Sequence, residues 1–195
     1  MKNGLVLFIL FFGLNVYGQI INFPDPNFKN ALANTKSVDL DGDGLGDADA
    51  DLNDDGEIDV SEALKVDYLV ILNTNIISII GIEHFTNIKS LNCRYSKLSN
   101  LNLSGLNKLE YIDCYSNRLT SIELKDLPNL IKLDCEYNKL KSLDVRECKN
   151  LTSLLCSQNE LLMLNINGLT RLTHLYCKKN MLTALDIQEL KNLVV

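Results

Sequence analysis

A chain of 195 residues, 46% of them hydrophobic and none of them Trp, suffices for one ordinary domain or a repeat array with a small appendage. Its formal net charge of −6 is local: residues 37–64 hold eleven of the 25 acids and no Lys, Arg or His, leaving fourteen acids against nineteen bases elsewhere. That concentration argues against nucleic acid as a partner there and for a hard cation.

The first residues read as an export signal over 1–18. Lys2 gives a positive start, residues 5–14 form a short apolar run, and Val16 and Gly18 precede a mature start at Gln19. No later stretch approaches about 20 consecutive apolar residues, so no transmembrane segment is expected in the mature chain. A secreted or cell-surface location follows from the signal.

Residues 19–66 read as a small helical cap. Asp25 is placed to cap a helix that opens with Pro26 and turns Phe28, Ala31 and Leu32 to one face. An acidic loop follows, with Asp39, Asp41, Asp43, Gly44 and Asp47 at positions 1, 3, 5, 6 and 9 of a calcium-loop pattern. Ala50 stands where the bidentate acid belongs, so this loop is expected to be the weaker site unless Asp49 or Asp51 substitutes.

A second loop fits the twelve-residue EF-hand pattern more fully. Asp51, Asn53, Asp55, Asp59 and Glu62 supply side-chain oxygens, Glu57 a carbonyl, and Gly56 the sharp turn. Ile58 is the apolar residue that packs such a loop, and residues 61–66 read as a short exiting helix. Ca²⁺ is the expected cofactor, with one ion or two left open.

From residue 67 onward repetition dominates. Cys93, Cys114, Cys135, Cys156 and Cys177 recur at a constant step of 21. Counting each repeat from Ile88, Leu109, Leu130, Leu151, Leu172 and Leu193, position 4 reads Leu91, Ile112, Leu133, Leu154, Leu175. Position 9 reads Ser96, then Asn117, Asn138, Asn159 and Asn180, and positions 11, 14 and 16 are Leu, Ile or Val throughout. A degenerate earlier copy fits Val70, Leu72, Asn75, Ile77, Ile80, Ile82 and Phe85.

Alternation around position 4 predicts a short strand with positions 3, 5 and 7 outward. A unit this small cannot bury its apolar face alone, so the repeats must stack into a solenoid. The position-9 Asn is expected to satisfy backbone groups of adjacent turns that would otherwise be buried unpaired. Cysteine at inward position 6 behaves as a small hydrophobe, and strands about 4.8 Å apart hold the thiols too far apart for disulfides. Cys148, at position 19, fits the same core.

Residues 67–195 resemble the 21-residue bacterial leucine-rich-repeat class, L-x-x-L-x-C-x-x-N-x-L-x-x-L-D/N-L/I/V-x-x-L, sometimes called IRREKO. The run from Leu130 through Cys135, Asn138 and Leu140 to Val145 is nearly an ideal copy. The resemblance implies a leucine-rich-repeat solenoid of short parallel β-strands with little helix, about six repeats long and ending inside a further one. It also implies an EF-hand-like helical cap ahead of the repeats, here with a duplicated loop, and an exported or cell-surface recognition or adhesion protein.

The expected ligand face is the outward strand face, where Tyr95, Tyr111, Tyr115, Tyr137 and Tyr176 lie beside Asp113, Asp134 and Glu136. Tyr68 is expected elsewhere. His84 and His174 are the only histidines, and no nucleophile elbow, metalloprotease motif or phosphate loop is present, so no enzyme is expected. Three readings stay open: a protein-binding module, a glycan-binding surface module, and a secreted glycan hydrolase using carboxylates such as Asp113 and Asp134.

Overall fold

A computed structural model describes residues 18–72 and 75–194. The export signal expected over 1–18 lies, but for Gly18, outside the described residues. A small N-terminal unit contains helices α1 (Pro26–Asn34) and α2 (Val60–Ala63). A β-solenoid of about five turns follows, with strands β1 (Tyr68–Val70), β2 (Ser90–Asn92), β3 (Asn100–Asn102), β4 (Tyr111–Asp113) and β5 (Ser121–Glu123). It continues through β6 (Lys132–Asp134), β7 (Ser142–Asp144), β8 (Ser153–Leu155), β9 (Met163–Asn165) and β10 (His174–Tyr176).

The strands sort by repeat position. Those centred on position 4 form one six-stranded parallel sheet, β1-β2-β4-β6-β8-β10. Those at positions 13 to 15 form two short pairs on the opposite side, β3-β5 and β7-β9. Leu91, Ile112, Leu133 and Leu154 stand in register and are buried, while their neighbours at positions 3 and 5 turn outward. Cys93, Cys114, Cys135 and Cys156 line the next inward row as free, buried thiols, joined by Cys148. Burial raises all of these thiols above their ordinary range, which leaves little of the reactive thiolate.

The asparagine ladder forms as the sequence predicts. Asn138 donates from Nδ2 to the carbonyls of Cys114 and Cys135 at 3.0 and 3.1 Å, and accepts at Oδ1 from Leu119 N at 2.9 Å. Asn117, Asn159 and Asn180 repeat those bonds one turn away each. Just before the ladder, position 8 lies in the left-handed region at Tyr95, Ser116, Tyr137, Gln158 and Lys179. Strands β2, β4, β6, β8 and β10 each run into that turn.

The first turn departs from the 21-residue count. Leu69, not Val70, pairs with Leu91, a step of 22. Ile76 and Ile79 are accordingly the buried residues, whereas Ile77 and Ile80, expected in the core, are 62% and 58% exposed. From Ile82 the 21-step returns, with Phe85 and Ile88 in the backbone pattern of Leu106 and Leu109. The extra residue is absorbed before Ile82, beside Gly81, whose φ of +108° and contact with the Phe23 ring leave no room for a side chain.

The N-terminal unit has two short helices, the first capped by Asp25 as expected, but no EF-hand is shown among the described residues. α1 leads into the Asp39 loop, which a Val38–Ala48 bridge closes, and α2 after the Asp51 loop is a single turn. Its α-helical span is Val60–Ala63, and the chain turns on to residue 66 through bonds from Lys65 N to Glu62 O and from Val66 N to Ala63 O, so two short helices flank two loops. Ile58 is fully buried and pairs its carbonyl with Ile21 N, the packing role expected of it.

Candidate functional site

The outward face of the six-stranded sheet gathers most of the residues singled out above. Tyr95 and Tyr137 occupy position 8 and Tyr115 position 7, where the chain leaves the strand. Their rings stack in series: Tyr95 to Tyr115 at 5.4 Å edge-on, and Tyr115 to Tyr137 at 5.0 Å tilted. Offset and edge contacts of this kind contribute about 0.5–1.5 kcal/mol per pair, so the row is ordered without any ligand. A bulky residue with φ near +57° is uncommon, yet Tyr95 and Tyr137 hold φ of 59° and 55°.

Next to this row stand the acids. Asp113 on β4 and Asp134 on β6 are register partners, and Glu136 follows at the end of β6. Burial, with Asp113 and Glu136 nearby, pushes the Asp134 carboxyl up to about 6 despite the bond from Glu136 N and the field of Lys132. The Tyr115 hydroxyl is also raised, by burial and then by Tyr137, Tyr95, Glu136 and Asp134. Tyr111 and Tyr176 are exposed on the same sheet and make no ring contact among the described residues.

One residue, Tyr68, escaped sequence reasoning, and Arg94 adds contacts to the row. Arg94 Nη1 lies 3.8 Å from Asp113 Oδ2, and its guanidinium carbon lies 5.7 Å from the centre of the Tyr95 ring. Tyr68 pairs with Ser90 and therefore shares the outward row of position 3, with Lys89 Nζ 5.9 Å from its ring centre. A step of 22 in place of 21 would have found Tyr68.

The acidic loops form a separate candidate site. Asp39, Asp41 and Asp43 each bring one carboxylate oxygen within 4.8 Å of the others, a triad able to hold an ion. Asp39 is buried, and donors led by Gly44 N and Gly42 N outweigh that burial, holding its pKa below the usual value. The Asp51 loop repeats the backbone scheme: Asp51 accepts from Asp55 N and Gly56 N, and Asn53 and Asp55 close the turn. Glu62 accepts from Leu52 N and Asp59 N; in the first loop Asp47 takes the corresponding bond from Leu40 N. The Glu57 side chain is held by Lys29 at 2.6 Å.

Residues 107–148 match the family profile of leucine-rich repeats in two copies, the stretch that carries Tyr111, Asp113, Tyr115, Asp134, Glu136 and Tyr137. No match is found among curated protein sequences. Among solved structures, the chain is similar to the functional domain of InlJ from Listeria monocytogenes, a structure that includes a cysteine ladder. That similarity is at 24% identity and a TM-score of 0.37, over 91% of this chain and 51% of that one. A leucine-rich-repeat protein of Leptospira interrogans is similar at 27% identity and a TM-score of 0.44, over 58% of this chain and 38% of that one. Internalin C2 of Listeria monocytogenes is similar at 17% identity and a TM-score of 0.43, over 91% and 96%. The chain thus spans about half the length of the InlJ domain and less of the Leptospira protein.

Proposed function

We propose that this leucine-rich-repeat solenoid is an extracellular or cell-surface binding module, not an enzyme, that receives a protein ligand on its six-stranded face. The observation that carries the reading is the Tyr95–Tyr115–Tyr137 row, three aromatic rings in series on the outward face of the sheet. Tyrosine gives contact area with a polar tip and little entropy to lose, which is why interfaces concentrate it. Asp113 and Asp134 are half-buried in the sheet, and among the described residues no loop or helix covers them.

The test is affinity for a protein ligand isolated on the immobilised chain from the source organism's surface proteins. Each of Tyr95→Ala, Tyr115→Ala and Tyr137→Ala is expected to weaken binding about 30-fold, the usual cost of about 2 kcal/mol for a central aromatic. Lys125→Ala and Lys141→Ala, exposed on the opposite side, are expected to leave it unchanged. Normal binding by the tyrosine variants, or capture of a polysaccharide in place of a protein, would overturn the reading.

The same proposal includes a calcium-stabilised N-terminal unit. Asp51, Asn53, Asp55, Glu57, Asp59 and Glu62 would ligate one ion, and Asp39, Asp41, Asp43 and Asp47 a second. Affinity near the ~10⁻⁴–10⁻³ M of extracellular modules is expected. Ca²⁺ should raise the melting temperature by several degrees and chelator should reverse it, with Glu62→Gln and Asp39→Asn each removing part of the effect. A melting temperature indifferent to chelator would sink this part of the proposal.

A further inference from the structure

The strand face carries a charge arrangement that the fold itself does not need. Asp113 and Asp134 stand side by side on neighbouring strands, about 4.8 Å apart. Like charges directly opposite one another destabilise a sheet. Glu136 adds a third acid two residues beyond Asp134 on the same chain.

The compensating cations are poorly placed. Arg94 meets one acid, Asp113, at a distance beyond hydrogen bonding, lies 5.7 Å from the centre of the Tyr95 ring alone, and keeps its Nε without a partner. Lys132 acts on Asp134 from two residues away on the same strand, without an ion pair among the described residues. On the other side of Asp134, β8 presents the uncharged Leu155 as its register partner. The groups around Asp134 are therefore Asp113 and Tyr115 from the preceding turn, Lys132 and Glu136 from its own, and an apolar side chain from the next. Negative charge is in excess, half-buried, and adjacent to three tyrosine rings.

A cation is the ligand that both halves of this arrangement attract: carboxylates by charge, ring faces by their quadrupole. A small hydrated metal ion would use the carboxylates and leave the rings idle. A planar guanidinium stacks on an aromatic face while its N–H fork meets carboxylates, and so uses both. We propose that Tyr95, Tyr115 and Tyr137, with Asp113, Asp134 and Glu136, form a receptor for an arginine side chain presented by a partner protein. This rests on the strand-face reading above and specifies its ligand chemistry.

The face is also polarised along the solenoid. Beyond the acidic middle turns, β10 and its turn carry His174, Lys178 and Lys179. The partner that fits is a segment with arginine over β4 and β6 and acidic groups over β10. Protons compete for the same site. Because Asp134 ionises near 6, acidification from about pH 7.5 to about pH 5 neutralises a carboxylate that the guanidinium needs charged. Binding should weaken as pH falls.

The experiment titrates the full chain with a capped triarginine peptide and its uncharged tricitrulline counterpart, reading tyrosine ring signals by NMR. The arginine peptide is expected to shift the signals of Tyr95, Tyr115 and Tyr137, the citrulline peptide not. Affinity is expected to fall about fivefold from about pH 7.5 to about pH 5. Asp134→Asn should lose both the affinity and its pH dependence while Asp126→Asn, remote on the opposite side, keeps both. Equal binding of the two peptides on these rings overturns the arginine receptor and leaves the strand-face reading standing. Shifts confined to the opposite side overturn both. No binding of either peptide overturns the receptor, while the tyrosine-variant affinities still decide the strand face separately.

Discussion

Asn138→Ala is expected to cost about 3–5 kcal/mol, comparable with truncating a buried leucine. The side chain is buried and makes three short bonds to backbone groups of its own turn and the preceding one. Alanine orphans the Leu119 N–H at about 1–3 kcal/mol and removes one of the two amide donors from each of the Cys114 and Cys135 carbonyls, which keep Asn117 and Asn159, at about 0.5–1.5 kcal/mol per bond. Asn138→Asp should be no milder at neutral pH, because a carboxylate would face the oxygens of Cys114 and Cys135 where an amide now donates. As a control, Asn129→Ala removes a single exposed bond to Asn107 O and should stay within about 0.5 kcal/mol. Equilibrium denaturation read by circular dichroism decides the matter. Because a solenoid is held by nearest-neighbour interfaces, the central loss should also broaden the transition by uncoupling the turns on either side. An Asn138→Ala variant as stable as its parent would mean that the ladder is ornamental.

What was legible in the sequence is what repeats. Strand position, inward leucine, cysteine row and asparagine ladder each follow from a rule that acts within one turn and recurs in the next. Repetition multiplies the signal. The 22-residue first turn was not legible, because a count of 21 places Val70, Ile77 and Ile80 where the chain buries Leu69, Ile76 and Ile79. One residue inserted beside Gly81 is invisible to a period and decisive for a register. The same slip hid Tyr68 from the ligand face. A second, exposed ladder also went unread: Asn129, Asn150 and Asn192 reach back to the carbonyls of Asn107, Pro128 and Thr170. Its position holds Lys108 and Arg171 in other turns, and an interrupted column looks like ordinary surface.

The acidic loops show the opposite failure. Their spacing announces oxygen donors but says nothing about what flanks them, and the helices expected there are set by tertiary contacts. A full capping box at Asp59 and Glu62 starts α2, and after Ala63 the chain tightens to i→i+3 bonds at Lys65 and Val66, which ends the α-helix after one turn. In the candidate ligand site, the residue types and their places on successive turns were legible and the ring-to-ring geometry was not. The Tyr95–Tyr115–Tyr137 row exists because positions 7 and 8 of neighbouring turns converge through a left-handed residue, a backbone fact no residue pattern states.

Asp25→Ala is expected to be the second large effect, about 3–4 kcal/mol, and to act where the N-terminal unit meets the solenoid. The sequence marks Asp25 as the cap of α1, and its Oδ1 does accept from Asn27 N at 2.8 Å. Its other oxygen reaches 52 residues ahead, accepting from Ile77 N at 2.7 Å and Ser78 N at 3.0 Å. One buried carboxylate thus starts the helix and fastens it to the irregular first turn. Losing the cap costs about 1 kcal/mol, and orphaning two N–H groups bonded to a charged acceptor accounts for the rest. Burial opposes ionisation of Asp25, but the N–H donors of Ile77, Ser78, Asn27 and Phe28 outweigh it and hold its pKa below 3.8. The sign of the linkage follows. The contribution is fully present above the ordinary aspartate value and is lost as pH falls through the lower folded value, so wild type and variant should converge only in strong acid. Asp25→Asn separates the two roles: its amide oxygen can still cap α1, but its NH₂ group would confront the N–H groups of Ile77 and Ser78. The asparagine variant should therefore recover the cap and little else. Hydrogen exchange should show amides of α1 and the first turn losing protection together in both variants, with the turns from β4 onward unchanged. If α1 loses protection while Ile77 and Ser78 keep theirs, Asp25 is only a helix cap and the junction is held by the apolar contacts of Ile21, Phe23 and Phe28.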